Sequence, residues 1–440
     1  MWIPTRRERL RRPTSADAAR LCLVAGLAVG LALVELLFGV FRYYPQAAPR
    51  AEALDVLAVR PWLLVPLALA AGRLSLPWRV SGYAGFLLLA GVTESLYLIG
   101  IGNPDPWPKM VRGWAAAILL LAPVDLALHL ARRTRTGWAP ILLAAGILLL
   151  FALPAALAPY RAIVVGAAAD RPAQTKPELL LMTALPIVWG EGGAFDPHSR
   201  PALAYRALQE AFAIRPIDSL DARTLGGARL LLLAHPRWLA PAELIAVDDW
   251  ARGGGRILIL TDPQLQWPTD LPLGDIRRPP PIGLLKPLLD HWGLAIAGVQ
   301  PGQRVVFNGQ RRLVFDHPGR FVSRVAAACR VIRAYRAECR LGAGRATLIA
   351  DADLLRDDLW SAPGPDGDTR HRRLADNPLA LANMLDRLSG FEREPVRAAV
   401  RWASPTMSPR RALILAILPL LGVLAAALAA SGLLHRRRSA

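Results

Sequence analysis

The apolar positions of this chain are segregated rather than dispersed. A bilayer core about 30 Å thick takes about 20 apolar helical residues to cross. Ala18–Phe41 meets that length with only Arg20 and Glu35 charged, and Val80–Gly102 meets it with Glu94 alone. Arg112–Ala131 carries Asp125 and His129 toward its far end, while Trp138–Ala158 and Ala412–Leu434 hold no charge. Pro61–Trp78 is shorter, contains Arg73 and is bracketed by Pro61 and Pro77. The pattern predicts six spans: 18–41, 61–78, 80–102, 112–131, 138–158 and one within 411–440.

The long segment between the last two spans has a different rhythm. Short apolar runs at Glu178–Leu185, Arg229–Ala234 and Arg256–Thr261 have the form of strands buried on both faces. Helical spacing over Pro201–Phe212 and Pro241–Arg252 alternates with them, the second ending at Gly253-Gly254-Gly255. Such alternation implies right-handed crossovers and a mostly parallel sheet. Proline-rich 267–287 interrupts it, and Arg304–Phe307, Leu313–Phe315 and Val325–Arg340 read as an added β-hairpin region. A last strand, Arg345–Ala350, runs into Asp351-Ala352-Asp353 before a closing helix over Pro378–Leu388. The expected organisation is a membrane domain over 1–160, an α/β domain over 161–410, and a final span with a basic tail over 411–440.

Charge sharpens this picture once it is located. The chain has 440 residues, 53 Lys+Arg and 34 Asp+Glu, a net of +19. Residues 161–411 hold 34 basic and 26 acidic groups, a net of +8, so +11 belongs to the membrane part. There the arginines cluster at alternate loops: Arg6, Arg7, Arg9, Arg11 and Arg12; Arg73 and Arg79; Arg132, Arg133 and Arg135; Arg436, Arg437 and Arg438. The positive-inside rule then places both termini in the cytoplasm and the α/β domain in the periplasm. Dropping the second span would move the 132–135 cluster outside. The basic excess is thus mainly a topology signal, and nucleic acid is not an expected partner; the lipid bilayer is. The first apolar segment is too long for a secretory signal and reads as a retained anchor.

The stretch "AHPRWLAPAELIAVDDWARGGGRILILTDP", the strand "GAGRATLIADADLL", the helix "DNPLALANMLDRLSG" and the apolar final span with its arginines together resemble the GldG-type auxiliary proteins of ABC transporters. The resemblance covers roughly residues 175–438. It implies an extracytoplasmic domain with a flavodoxin-like, class I glutamine amidotransferase-like fold, and ABC permease and ATPase subunits as partners. Five spans before residue 160 depart from the family layout of one N-terminal anchor. An amidotransferase needs a cysteine on a sharp turn after a central strand, and the matching turn reads Thr261-Asp262-Pro263. No Gly-x-Ser-x-Gly elbow occurs. None of Lys109, Lys176 and Lys286 sits in a Gly-x-x-x-x-Gly-Lys-Ser/Thr loop, so an ATPase must be a separate subunit.

Ligands of parallel α/β sheets gather at the carboxyl ends of the strands. Glu191, His235, Asp262, Asp351 and Asp353 fall there, and could hold a divalent cation or a polyhydroxyl ligand. Asp262 and Asp351 could equally cap helices or pin turns. Glu191 lies among glycines that permit close backbone approach. Cys329 and Cys339 could meet across a hairpin turning near Ala334, or remain two buried thiols; Cys22, in the first span, is a packing residue. Within the spans, Glu94 and Asp125 are costly enough to suggest a polar pathway or partner contact, while Glu35 and His129 lie near span ends. No catalytic residue, metal or cofactor is expected. The sequence therefore points to a non-catalytic auxiliary subunit in a bacterial inner membrane. The alternatives are a membrane-tethered metal-dependent hydrolase and a structural partner of a MoxR-type AAA+ chaperone system.

Overall fold

The computed structural model describes the chain except for residues 1–14, 42–49, 135, 166–175, 194–195, 309–310, 325–327, 363–371, 391–399, 405 and 437–440. Of the arginines that set the expected orientation, Arg6, Arg7, Arg9, Arg11, Arg12, Arg135, Arg437 and Arg438 lie outside the described residues. The chain divides into two units, one of 1–171 with 401–440 and one of 172–400.

In the first unit the helices are α1 (Ser15–Phe41), α2 (Ala53–Leu57), α3 (Arg60–Ala71), α4 (Leu76–Gly100), α5 (Trp107–Ala131), α6 (Ala139–Phe151), α7 (Ala158–Val165) and a closing helix, Pro409–Arg436. Among the described residues four are long and apolar enough to cross a membrane: Cys22–Phe41, Leu76–Gly100, Trp107–Ala131 and Pro409–Ser431. The other two expected spans come out shorter. Segment 61–78 yields the 12-residue α3, because the chain turns at Gly72–Leu74 and Pro77 then opens α4. Segment 138–158 yields the 13-residue α6, which stops just before Pro154. At 1.5 Å per residue, α3 is about 18 Å long, well below a bilayer core. It nevertheless runs alongside the long helices. Its first residue, Arg60, meets Glu35 near the end of α1 and Glu94 near the end of α4. Its last carbonyls, on Ala68 and Leu69, accept bonds from Arg132, which follows α5. The helices approach closely at small residues: Gly91 of α4 lies against the Trp114 ring of α5, and Gly100 against Ala412 of the closing helix.

In the second unit the apolar runs form the strands they predict. β1 (Glu178–Thr183), β3 (Leu230–Ala234) and β4 (Arg256–Leu260) are buried along almost their whole length. β2 (Ala213–Pro216) was not legible as a strand, being four residues long and largely exposed. β5 (Leu294–Val299) pairs with β8 (Gly319–Ser323), and β6 (Gln303–Asn308) with β7 (Arg311–Asp316). β9 (Cys329–Arg333), β10 (Arg336–Leu341) and β11 (Gly344–Ile349) complete a seven-stranded sheet in the order β2-β1-β3-β4-β11-β10-β9. The first five of these run parallel, and β10 and β9 return antiparallel, so the sheet is parallel-dominated but mixed. Alternate residues point to opposite faces. Leu179, Leu232 and Leu258 join one core with α8 (Leu203–Ala211) and α13 (Asn377–Ser389), while Leu180, Leu231 and Ile257 join another with α10 (Pro241–Arg252) and α11 (Lys286–His291). Helix α10 spans the residues its pattern predicts; α8 starts two residues later than expected, α13 gains one residue at each end, and α9 (Ala222–Leu225) and α12 (Asp357–Trp360) are single turns.

Candidate functional site

The carboxyl ends of β4, β7 and β11 converge, and their chemistry is acidic. Asp262 follows β4, Asp316 ends β7, and Asp351 and Asp353 follow β11; Asp262, Asp351 and Asp353 are fully buried. Each of these three is tied to backbone amides. Asp262 accepts from Gln264 at 2.8 Å and from Ala352 at 2.9 Å. Asp351 accepts from Leu354 at 2.7 Å and from Asp316 at 2.8 Å. Asp353 accepts from Gln266 at 2.7 Å, and its other oxygen stands 3.7 Å from Arg356. Arg356 also donates to Asp316 at 3.0 Å and to the Gln266 carbonyl at 3.1 Å. The carboxylates thus stitch three strand-end loops together, which is the turn-pinning role open to them from sequence.

Burial and mutual repulsion act on all three. Burial raises the Asp262 carboxyl to about 6, against the opposing effect of its amide donors. Burial, then the charges of Asp262 and Asp353, hold Asp351 well above the usual carboxylate range. Burial and the charge of Asp262 push Asp353 up to about 7. Among the described residues no group of three or more His, Cys, Asp or Glu is arranged to hold a metal ion.

The remaining strand-end residues do not join this cluster. His235 follows β3 with a positive φ of 49°, uncommon outside glycine. Its ring Nε2 is 2.8 Å from the Pro280 carbonyl, while burial lowers its pKa, so the neutral imidazole donates that bond. The role is to anchor the proline-rich loop. Glu191 sits in a loop where Gly190 and Gly193 have positive φ, as close backbone turning requires. Cys339 pairs in register with Cys329, and the two sulfurs are bonded.

In the membrane-type unit, Glu94 is half of a larger arrangement. Arg60 Nε donates to Glu35 at 2.7 Å and its Nη2 to Glu94 at 2.8 Å, with all three side chains at 0% exposure. Arg60 was missed from the sequence because it precedes Pro61 and reads as loop. Two unpaired acids within spans and one arginine at a helix start were the available signal. Asp125 accepts from Tyr83 Oη at 2.6 Å and from Arg79 at 3.2 Å. His129 instead lies beside Arg133 on the surface.

Residues 176–300, from β1 into β5, match the family described as an ABC-type uncharacterized transport system. The likeness to that family is confined to this segment, well under half of the chain. It includes Glu191, His235 and Asp262 but stops short of Asp351 and Asp353. No curated protein matches the chain in sequence. Among solved structures, an exo-β-1,4-mannosidase from Opitutaceae bacterium strain TAV5 aligns at 12% identity and a TM-score of 0.27, over 48% of this chain and 35% of its own. A β-galactosidase from Rahnella sp. R3 aligns at 12% identity and a TM-score of 0.29, over 57% of this chain and 35% of its own. The chain thus spans about a third of the length of these enzymes, and likeness at this level carries no argument.

Proposed function

We propose that this chain is a non-catalytic, membrane-anchored auxiliary subunit of an ABC-type transport or surface-assembly system. Its unit 172–400 works in the periplasm, binding a substrate or an envelope partner, while its helices dock to permease subunits in the inner membrane. The observation that carries the reading is the family match over β1–β5. Three features support it. The four long apolar helices give an anchor, and α3 and α6, which pack against each other and against α5, would bring the crossings to six and keep both termini cytoplasmic. The order of the five parallel strands, β2-β1-β3-β4-β11, is the one flavodoxin-like sheets use, which favours the amidotransferase-like comparison. At the turn where such an enzyme would carry its nucleophile, this chain has Asp262, already engaged by two amides.

A metal-dependent hydrolase is the second reading, favoured by the convergence of three buried aspartates at strand ends. Co-purification from native membranes in mild detergent separates the two. Stoichiometric ABC ATPase and permease subunits are expected. A chain recovered alone, with bound metal and hydrolytic activity lost on Asp351→Asn, would overturn the auxiliary reading in favour of the hydrolase; recovery with an AAA+ ATPase would overturn it in favour of a chaperone-system role.

A further inference from the structure

The antiparallel end of the sheet carries a charge pattern that none of the preceding roles uses. Along β10 the alternation is strict: Ala337, Cys339 and Leu341 are buried in the core, and Arg336, Glu338 and Arg340 face the other way. On that second face α13 covers β4 and β11 but flanks β9 and β10, leaving a groove with a cavity of about 630 Å³. Five arginines line it, Arg330, Arg336, Arg340, Arg345 and Arg387, against one acid, Glu338. That acid is taken up by Arg336. In the β10–β11 ladder Arg340 stands directly opposite Arg345. Like charges in facing positions of an antiparallel pair destabilise it, so this pair costs stability unless something anionic lies between. The excess extends further, to half-buried Arg311 of β7, whose pKa is lowered by burial and then by the charge of Arg387.

We propose that this groove binds a phosphate-bearing chain carrying at least two phosphate groups. Planar guanidiniums engage phosphate oxygens in pairs, and arginines spread over three strands, β9, β10 and β11, and a helix end would reach successive anionic groups of one ligand. Met384 and Leu388, which wall the groove on the α13 side, give its non-ionic portion an apolar contact. The inference does not depend on the transport reading, because it concerns only what the purified chain binds.

The test is calorimetric titration of the full chain, held in a neutral detergent at fixed ionic strength, with tripolyphosphate as the probe. Saturable binding is expected, weakened about tenfold in R340Q/R345Q. The unfolding temperature of that variant without ligand should equal or exceed the parent's, since a repulsive pair has been removed. Arg387→Gln, on a different element, should weaken binding in the same direction if the double variant folds poorly. Four results would each overturn the proposal. They are absence of saturable binding, full binding by both variants, inorganic phosphate binding as tightly as tripolyphosphate, and preferential binding to phosphatidylglycerol vesicles.

Discussion

Both units of this protein bury carboxylates, and they neutralise them by different means. In the helical unit Glu35 and Glu94 are answered by a side chain, Arg60, which lies 25 residues from one and 34 from the other. In the α/β unit Asp262, Asp351 and Asp353 are answered chiefly by backbone amides of the loops they join. Helices satisfy their own amides internally, so a charge buried among them needs an opposite charge brought from another helix. Strand-end loops have free amides, so carboxylates can stitch them without a cation. The first arrangement is all or nothing, and the second loosens by degrees.

The sharpest way to break the comparison is Arg60→Met. It strands two buried carboxylates and should cost about 3–5 kcal/mol, seen as loss of folded chain from the membrane fraction. Replacing all three charges at once, E35Q/R60M/E94Q, should recover most of that yield, because a buried charge cluster is costly mainly when incomplete. Asp262→Ala should cost less, about 2–4 kcal/mol by resistance to pulse proteolysis, since two amides lose their acceptor. Asp262→Asn, which keeps one acceptor oxygen, should fall between it and the parent.

Removing the β9–β10 crosslink with C329A/C339A should cost about 2–3 kcal/mol, set by the short loop it closes. Reductant should destabilise the parent to a similar extent and leave the double variant unchanged. The smallest effect concerns pH. The strand-end aspartates have raised pKa values, so the folded unit holds protons more tightly than the unfolded chain. Their contribution is then fully present below the unfolded value of 3.8 and is lost as pH rises through about 6 to 7. The α/β unit should resist proteolysis better at pH 5 than at pH 8, and Asp353→Asn should flatten that dependence by about 1–2 kcal/mol.

Much of the α/β unit was legible from its sequence, because strands buried on both faces leave unbroken apolar runs at Leu179–Met182, Leu230–Ala234 and Ile257–Leu260. β2 was not, since Ala213–Pro216 is short and exposed; β8 lacks apolar continuity, and β5, though apolar throughout, buries only its first residue. In the helical unit, prolines and a Gly-Arg turn cut apolar stretches that hydropathy alone joins. The strand-end residues follow from position along the chain, yet position does not say that His235 turns to Pro280 while three aspartates turn to each other's loops. That choice is made by loop geometry, which emerges only when distant segments meet. Arg60 was hidden for the same reason: an arginine before a proline looks like a loop until two helices bring their acids to it.

The orientation of the α/β unit bears most directly on the whole account. Ile276, fully exposed in the proline-rich loop, can be changed to cysteine in a chain lacking Cys22, with Cys329 and Cys339 occupied by their bond. In intact spheroplasts, a membrane-impermeant maleimide should label I276C without lysis. Labelling only after the membrane is permeabilised would place this unit in the cytosol and contradict the periplasmic binding role.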